Sequence, residues 1–353
     1  MAGPPGLAGM VRRAGYPFWV GAAPPEDELG RLWARVPTLS SEDAERLVVG
    51  EMFATLNVRA MLPGMRTGVR EWRPDVIVRE HAEFASLVAA EEAGVPHLQV
   101  GISLVATHMR VLSIAAEAVD AWRTGLTDRM LQTPYLTLFP ASLEDPEVTG
   151  PAHVHRFRDP VADAAAAPLP DWWGGDGRPL VYVTFGSVTA SEPTAAPIYG
   201  VALEAAADLP ARVLLTTGAI SDDLALEAPG AHVHIARWVP QADVLPHARV
   251  VVCHGGSGTT LGALAAGVPL VVTPLFADQP QNGRRIAAVG AGLVVEPHDD
   301  GAIHSAVDPA ALRDAIATVL ADDGFRQVAR GIAAEICEMP AVDEALSVLN
   351  TVP

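Results

Sequence analysis

The chain has 353 residues, enough for two domains that each bury a core, and 50% of them are hydrophobic. Its 24 basic residues against 42 acidic ones give a net charge of −18, which argues against nucleic acid and anionic membranes as partners. Cys253 and Cys337 are the only cysteines, too few for a disulfide framework or a thiolate metal cluster, so a reducing cytoplasm fits.

Residues 1–10 have neither a basic start nor a long apolar run, so they do not read as a signal peptide. A Gly/Pro turn leads into a short helix over 7–13 and a strand over 16–20. Residues 26–33 and 41–72 have helical spacing, the second opening with Ser41 as cap and Glu42, Asp43 and Glu45 in its first turn. Pro63-Gly64 is expected to break that helix. Met52, Phe53, Leu56 and Met61 could line a greasy cleft, but ordinary core contacts at helical spacing account better for most of them.

A strand over 74–78, a helix over 82–93 and a strand over 96–101 make a βαβ alternation, which argues for a parallel sheet. Ligands of such sheets sit beyond the carboxyl ends of the strands, so Arg79, Glu80 and His81 are the candidates of the first half. His81 neighbours Glu80, but adjacent side chains at a strand end are expected to point apart. His108, on a helix that runs from about 107, has no visible partner and reads as structural. Residues 136–139 close the first domain, 1–149, as its last strand. Residues 150–179, rich in Ala, Pro, Asp and Gly, read as a linker.

The second domain, 180–353, starts with a buried strand over 180–185 and the Gly186-Ser187 turn. A helix over 196–207 and strands over 212–216 and 232–235 follow. The stretch VVVCHGGSGTTLGALAAGVPLVVTPLFADQ comes next, from Val250 to Gln279. Its first four residues read as a buried parallel strand, with Cys253 as inert core. Gly255, Gly256 and Gly258 make a tight turn, and Ser257, Thr259 and Thr260 are placed to cap a helix that Gly267 and Pro269 end. Gly255 to Ala277 carries no charge, yet its glycines, prolines and hydroxyls break it into helix and strand, so no membrane span is expected. A strand over 270–273, a helix over 281–289, a strand over 292–295 and helices near 309–321, 324–338 and 342–349 complete the pattern. The last helix could return to the first domain.

A glycine-rich turn from strand to helix aims unpaired N–H groups and the positive end of a helix dipole at one place, which suits a phosphate. His254 can add a donor, although a merely tight turn explains the glycines too. The P-loop and dinucleotide motifs are not matched, and the chain has no lysine for the first. Trp238-Val239-Pro240-Gln241 stands upstream, and Asp278, Gln279 and Asn282 stand downstream.

Taken in order, R-W-V-P-Q, H-G-G-S-G-T, G-V-P and D-Q-x-x-N resemble the donor-sugar signature of family 1 glycosyltransferases, in the branch that decorates bacterial natural products. The resemblance implies the α/β fold called GT-B, with two facing doubly wound, Rossmann-like parallel-sheet domains, the first holding the acceptor and the second the donor. It implies that Trp238 stacks on the base and that Val239 and Gln241 reach base or ribose. Ser187, His254, Gly256, Ser257, Gly258 and Thr259 would hold the diphosphate, and Asp278 and Gln279 the sugar hydroxyls. Trp238 could instead be core, and Asp278 a helix cap. Plant members carry a glutamate for the ribose hydroxyls where this chain has Gly262, a departure that favours dTDP over UDP because deoxyribose has no 2′-hydroxyl.

The implied reaction is direct displacement with inversion, needing no metal or cofactor beyond the nucleotide-sugar donor. Its acceptor is a small apolar molecule such as a polyketide or macrolide aglycone, and the family admits a homodimer. The family's base is a histidine after the first strand, oriented by a carboxylate whose place Glu80 matches. The opening of this chain corresponds to a point after that strand, so the sequence is expected to lack roughly one βα unit of 30 residues or more and the histidine with it, and to bind donor with poor turnover. A sugar-nucleotide 2-epimerase-like enzyme and a non-catalytic donor-binding protein are the competing readings.

Overall fold

The computed structural model describes residues 1–159, 177–186, 196–218, 226–297 and 307–349. The chain divides into two compact units: residues 1–137, 146–156 and 343–353 make the first, and residues 138–145 and 157–342 the second.

In the first unit, β1 (Ala2–Gly3) and β2 (Trp19–Val20) pair in parallel around helix α1 (Ala8–Arg13). Helix α2 (Glu26–Arg35) precedes a long helical run, α3 (Ser41–Arg46), a π-helical segment Leu47–Asn57 and α4 (Val58–Trp72). Two expectations fail here. The cap is Ser40 rather than Ser41, its hydroxyl oxygen accepting the Asp43 N–H. Pro63 does not break the run, because α4 continues through it. A proline inside a helix removes one amide bond and crowds the carbonyl four residues back, and burial of Met61, Leu62, Gly68 and Val69 holds α4 together against that cost. The irregular stretch lies upstream of Pro63, at Leu47–Asn57, where Trp122 donates its indole N–H to the Ala54 carbonyl at 3.0 Å.

The first unit's sheet is β3 (Ile77–Glu80), β4 (His97–Val100), β5 (Tyr135–Thr137) and β6 (Val154–Arg156), all parallel and in that spatial order. Helices α5 (Phe84–Ala93), α6 (Val105–Trp122) and α7 (Leu126–Gln132) connect its strands. Residues 84–90 of α5 are all buried, apolar except for Ser86, and Gly94 ends the helix with φ of 65°. Strand β6 lies inside the stretch read as linker, so that reading is corrected: Val154 and His155 pair with Tyr135 and Leu136. The remainder of that stretch up to 176 lies outside the described residues.

In the second unit, β7 (Leu180–Thr184), α8 (Pro197–Ala206), β8 (Arg212–Thr216), β9 (Val233–Ala236), α9 (Gln241–Val244) and β10 (Ala248–Cys253) come first. They are followed by α10 (Ser257–Ala265), β11 (Leu270–Val272), α11 (Gln279–Ala288) and β12 (Gly292–Val294). Helices α12 (Pro309–Ala321) and α13 (Asp323–Glu338) close this unit, and α14 (Leu346–Leu349) groups with the first. The six strands are parallel in the order β12-β11-β10-β7-β8-β9. From β7 the chain winds outward one way to β9, then returns to β10 and winds the other way. The order therefore reverses between β7 and β10, and that crevice, beyond the carboxyl ends of the strands, is where such sheets bind ligands.

Among the described residues, no helix is long and apolar enough to cross a membrane.

Candidate functional site

Thr184 and Cys253 are register partners, so the segments leaving β7 and β10 emerge side by side at the reversal point. His254 fills the space between them and is buried. Two glycines make room for its ring: a Cβ on Gly256 would lie 2.4 Å from Nε2, and one on Gly186 would lie 2.9 Å from Cε1. Gly255 has φ of 86°, and a Cβ there would lie 2.7 Å from Val272 Cγ1. Burial pulls the His254 pKa down to about 4, so the ring is neutral, and its Nδ1 has no partner among the described residues. Burial likewise pushes the Cys253 thiol up to about 12, which makes it inert core as expected.

The capping of α10 differs from the expectation. Gly256 holds the cap position and no side chain caps the helix. The first intrahelical bond runs from the Thr260 N–H to the Gly256 carbonyl, so the N–H groups of Ser257, Gly258 and Thr259 have no partner within the helix. Ser257 instead donates its hydroxyl to Asp278 Oδ2 at 2.7 Å. Asn282, fully buried, ties the group together by donating Nδ2 to Gly255 O at 2.8 Å, Asp278 Oδ2 at 3.0 Å and Ser257 Oγ at 3.3 Å. Asp278 stands at the cap position of α11 without capping it, because its carboxylate is turned to Ser257 and Asn282. The residue before it, Ala277, has φ of 57°, a strained value for a non-glycine residue and a common mark of a functional turn. Gln279 is buried and its Oε1 accepts from the Leu275 and Phe276 N–H groups at 2.8 and 3.0 Å, which leaves Nε2 as its remaining polar group.

Trp238 follows β9 and is 72% exposed, so it is not core. Val239 is half-buried. Gln241 opens α9, and its Nε2 is buried without a partner among the described residues. A Cβ on Gly262 would sit 3.5 Å from that nitrogen, so positions 241 and 262 adjoin. Ser187 lies outside the described residues.

In the first unit, Glu80 ends β3 and its Oε2 accepts the Ala82 N–H at 3.0 Å. Burial holds its pKa above the usual range, against the Ala82 N–H and Arg79, which lower it. Arg79 is buried and donates Nη1 to the carbonyls of Glu80, His81 and Glu83 at 3.3–3.4 Å, clamping the turn. Glu80 and His81 do not point apart: His81 Nε2 lies 3.0 Å from Glu80 Oε1. The strand ends at Glu80, and side-chain alternation ends with it. His108 is not solitary either, since it meets His81. Sequence reasoning had only a polar residue among apolar helix neighbours to signal it. Among the described residues, no three His, Cys, Asp or Glu side chains converge as metal ligands.

Residues 201–351 match the family described as erythromycin biosynthesis protein CIII-like, C-terminal domain. The chain is 37% identical over 304 residues to the L-demethylnoviosyl transferase of Streptomyces niveus, covering 84% of this chain and 75% of that protein. It is 29% identical over 321 residues to the TDP-daunosamine transferase DnrS of Streptomyces peucetius, covering 85% and 73%. Among solved structures, the spinosyn rhamnosyltransferase SpnG complexed with thymidine diphosphate is similar with a TM-score of 0.76 at 24% identity, over 99% of this chain and 91% of that one.

Proposed function

Since the chain belongs to the family of bacterial natural-product glycosyltransferases and has their GT-B fold, we infer that it moves a deoxysugar from a dTDP-sugar to a hydroxyl of a small apolar acceptor, such as a polyketide or macrolide aglycone, with inversion at the anomeric carbon. The observation that carries this reading is the uncapped start of α10 beside neutral His254, with the Ser257–Asp278–Asn282 knot at its edge. It supports a seat for a diphosphate next to a carboxylate that can hold sugar hydroxyls.

In this reading the N–H groups of Ser257, Gly258 and Thr259, the Gly256 turn, His254 and Ser187 take the diphosphate. Hydrogen bonds to a charged oxygen are roughly twice as strong as neutral ones. Because the diphosphate is the leaving group, they tighten as charge grows on it, and that differential lowers the barrier. Trp238 stacks on the base, the Val239 backbone and Gln241 Nε2 reach base or ribose, and Asp278 with the Gln279 amide holds the sugar. Gly262 beside Gln241 leaves the ribose without a carboxylate, which supports dTDP. The SpnG complex with thymidine diphosphate and the TDP-daunosamine name of DnrS point the same way. Glu80 supplies the carboxylate on the acceptor side, in the place of the one that orients the base for the acceptor hydroxyl. Charge on the diphosphate is met by these groups, so activity should persist in EDTA.

The test is incubation with dTDP-deoxysugars and a panel of aglycones, with the product's anomeric coupling constant read by NMR. Transfer with inverted configuration, abolished by Glu80→Gln while dTDP binding is kept, is the expected outcome. Transfer with retention, or undiminished transfer by the Glu80→Gln variant, would overturn the mechanism. Donor epimerisation without any transfer would overturn the function.

A further inference from the structure

Behind Glu80 lie two buried histidines that no step above uses. His81 is 4% exposed and His108 is fully buried. Their Nδ1 atoms are 2.9 Å apart, and the other ring nitrogen of His81, Nε2, is 3.0 Å from Glu80 Oε1. This second contact is close but off line, since Oε1 has no aligned donor among the described residues. The terminal torsion of a glutamate is soft, so a small rotation of the carboxylate aligns it.

The order of protons along this row can be deduced. Burial drops the His81 pKa to about 4 and that of His108 to about 3, so each ring is neutral and carries one proton. An ionised carboxylate only accepts, so Nε2 of His81 must bear its proton if it is to bond Glu80. Nδ1 of His81 is then bare, and the proton between the rings belongs to Nδ1 of His108. The far nitrogen of His108, Nε2, has no partner among the described residues. In this arrangement it is a bare acceptor. The reverse arrangement would strand an N–H donor there and turn the bare Nε2 of His81 toward a carboxylate, so it is worse at both ends.

We propose that His81 and His108 are positioning residues for the Glu80 carboxylate: His108 donates to Nδ1 of His81 and so commits the Nε2–H of His81 to Glu80. This rests on the reading that Glu80 serves the acceptor side. It adds that protonation of Glu80 at Oε1 is coupled to two tautomers, because an Oε1–H facing His81 is a donor and would require both rings to flip. The other groups acting on Glu80 are the Ala82 and His81 backbone N–H groups and Arg79, which favour the ionised form, and Glu83, which disfavours it.

The tautomers are read first, in the unmodified full chain, by imidazole 15N shifts. His81 should be the Nε2–H form and His108 the Nδ1–H form, and the reverse pair would overturn the proposal. Glu80 is then titrated by its carboxyl 13C signal, identified by its loss in the Glu80→Gln variant. His108→Phe removes the donor, lets His81 change tautomer, and should raise the Glu80 midpoint by about one pH unit, tenfold in proton affinity. His108→Asn places an amide nitrogen near the position of Nδ1 and should restore the original midpoint. Unchanged midpoints in both folded variants would refute the relay while leaving the role of Glu80 intact. Full transfer activity of the Glu80→Gln variant, with the tautomers and midpoints as expected, would instead remove the role of Glu80 and leave the relay a structural feature.

Discussion

Replacing Trp238 with alanine separates folding from nucleotide binding. A tryptophan side chain buries at most about 250 Å², and at 72% exposure Trp238 buries roughly 70 Å². At about 25 cal/mol/Å² the ring contributes no more than about 2 kcal/mol to stability, an upper bound because the unfolded chain is partly compact. Stacking on a base is worth about 1–3 kcal/mol, so Trp238→Ala should raise the Kd for dTDP by about 5- to 150-fold. Trp238→Phe, which keeps a ring face, should recover most of that loss. Calorimetric titration with dTDP at fixed pH measures the effect on binding, and a thermal melt of the same samples measures the effect on stability. A folded Trp238→Ala protein whose Kd for dTDP stays within about twofold of the parent would refute the stacking role. The exposed ring would then need another explanation.

Gly256→Ala places a methyl group 2.4 Å from His254 Nε2, and Gly186 blocks the ring's retreat on its other side. Overpacking of this kind costs about 1–3 kcal/mol, so dTDP affinity should fall, and an unchanged Kd in calorimetry would place the diphosphate elsewhere. Gly262 has room for the Cβ of a Gly262→Glu variant, 3.4 Å from Leu245 Cδ1 and 3.5 Å from Gln241 Nε2. The variant should shift the Kd ratio toward UDP by about tenfold through a bond to the 2′-hydroxyl, and an unaltered UDP/dTDP ratio would show that the ribose does not lie there. The pH dependence of stability follows from His81, His108 and His254, whose pKa values are lowered to about 4, 3 and 4 from 6.5. The unfolded chain then takes up protons first as pH falls. The stability these neutral rings contribute is therefore complete above about pH 6.5 and is lost toward pH 4, at about 1.4 kcal/mol per unit for each histidine. The Tm should drop between pH 7 and 5, more gently in His108→Phe, and a Tm that holds or rises over that range would contradict the burial argument.

Much of the second unit was legible because its information is local. An apolar strand, a glycine turn, a short helix and the next strand follow one another within thirty residues, and each choice agrees with its neighbours. The uses of the polar groups were not legible. Ser257 reads as a cap, yet its hydroxyl goes to Asp278, twenty-one residues on, because Asn282 holds that carboxylate against the turn. In the first unit, periodicity marked β3 and β4 but missed β6, whose three residues lie in a stretch that looks like linker by composition. Three residues carry too little pattern to stand out against Pro and Ala neighbours.

By itself, the sequence determined the alternation of strands and helices, and with it parallel sheets, through burial of continuous apolar runs. It also determined the order of motifs that marks a nucleotide-sugar transferase. Tertiary structure alone decided which strands stand at the centre, because parallel pairing joins residues far apart in the chain. That pairing sets β7 against β10, lets His254 lie between Gly186 and Gly256, and leaves the start of α10 uncapped. It also brought His108 to His81 across twenty-seven residues. A hydrogen bond is made by atoms a few ångströms apart, and spacing along the chain does not fix that distance until the helices and strands have packed.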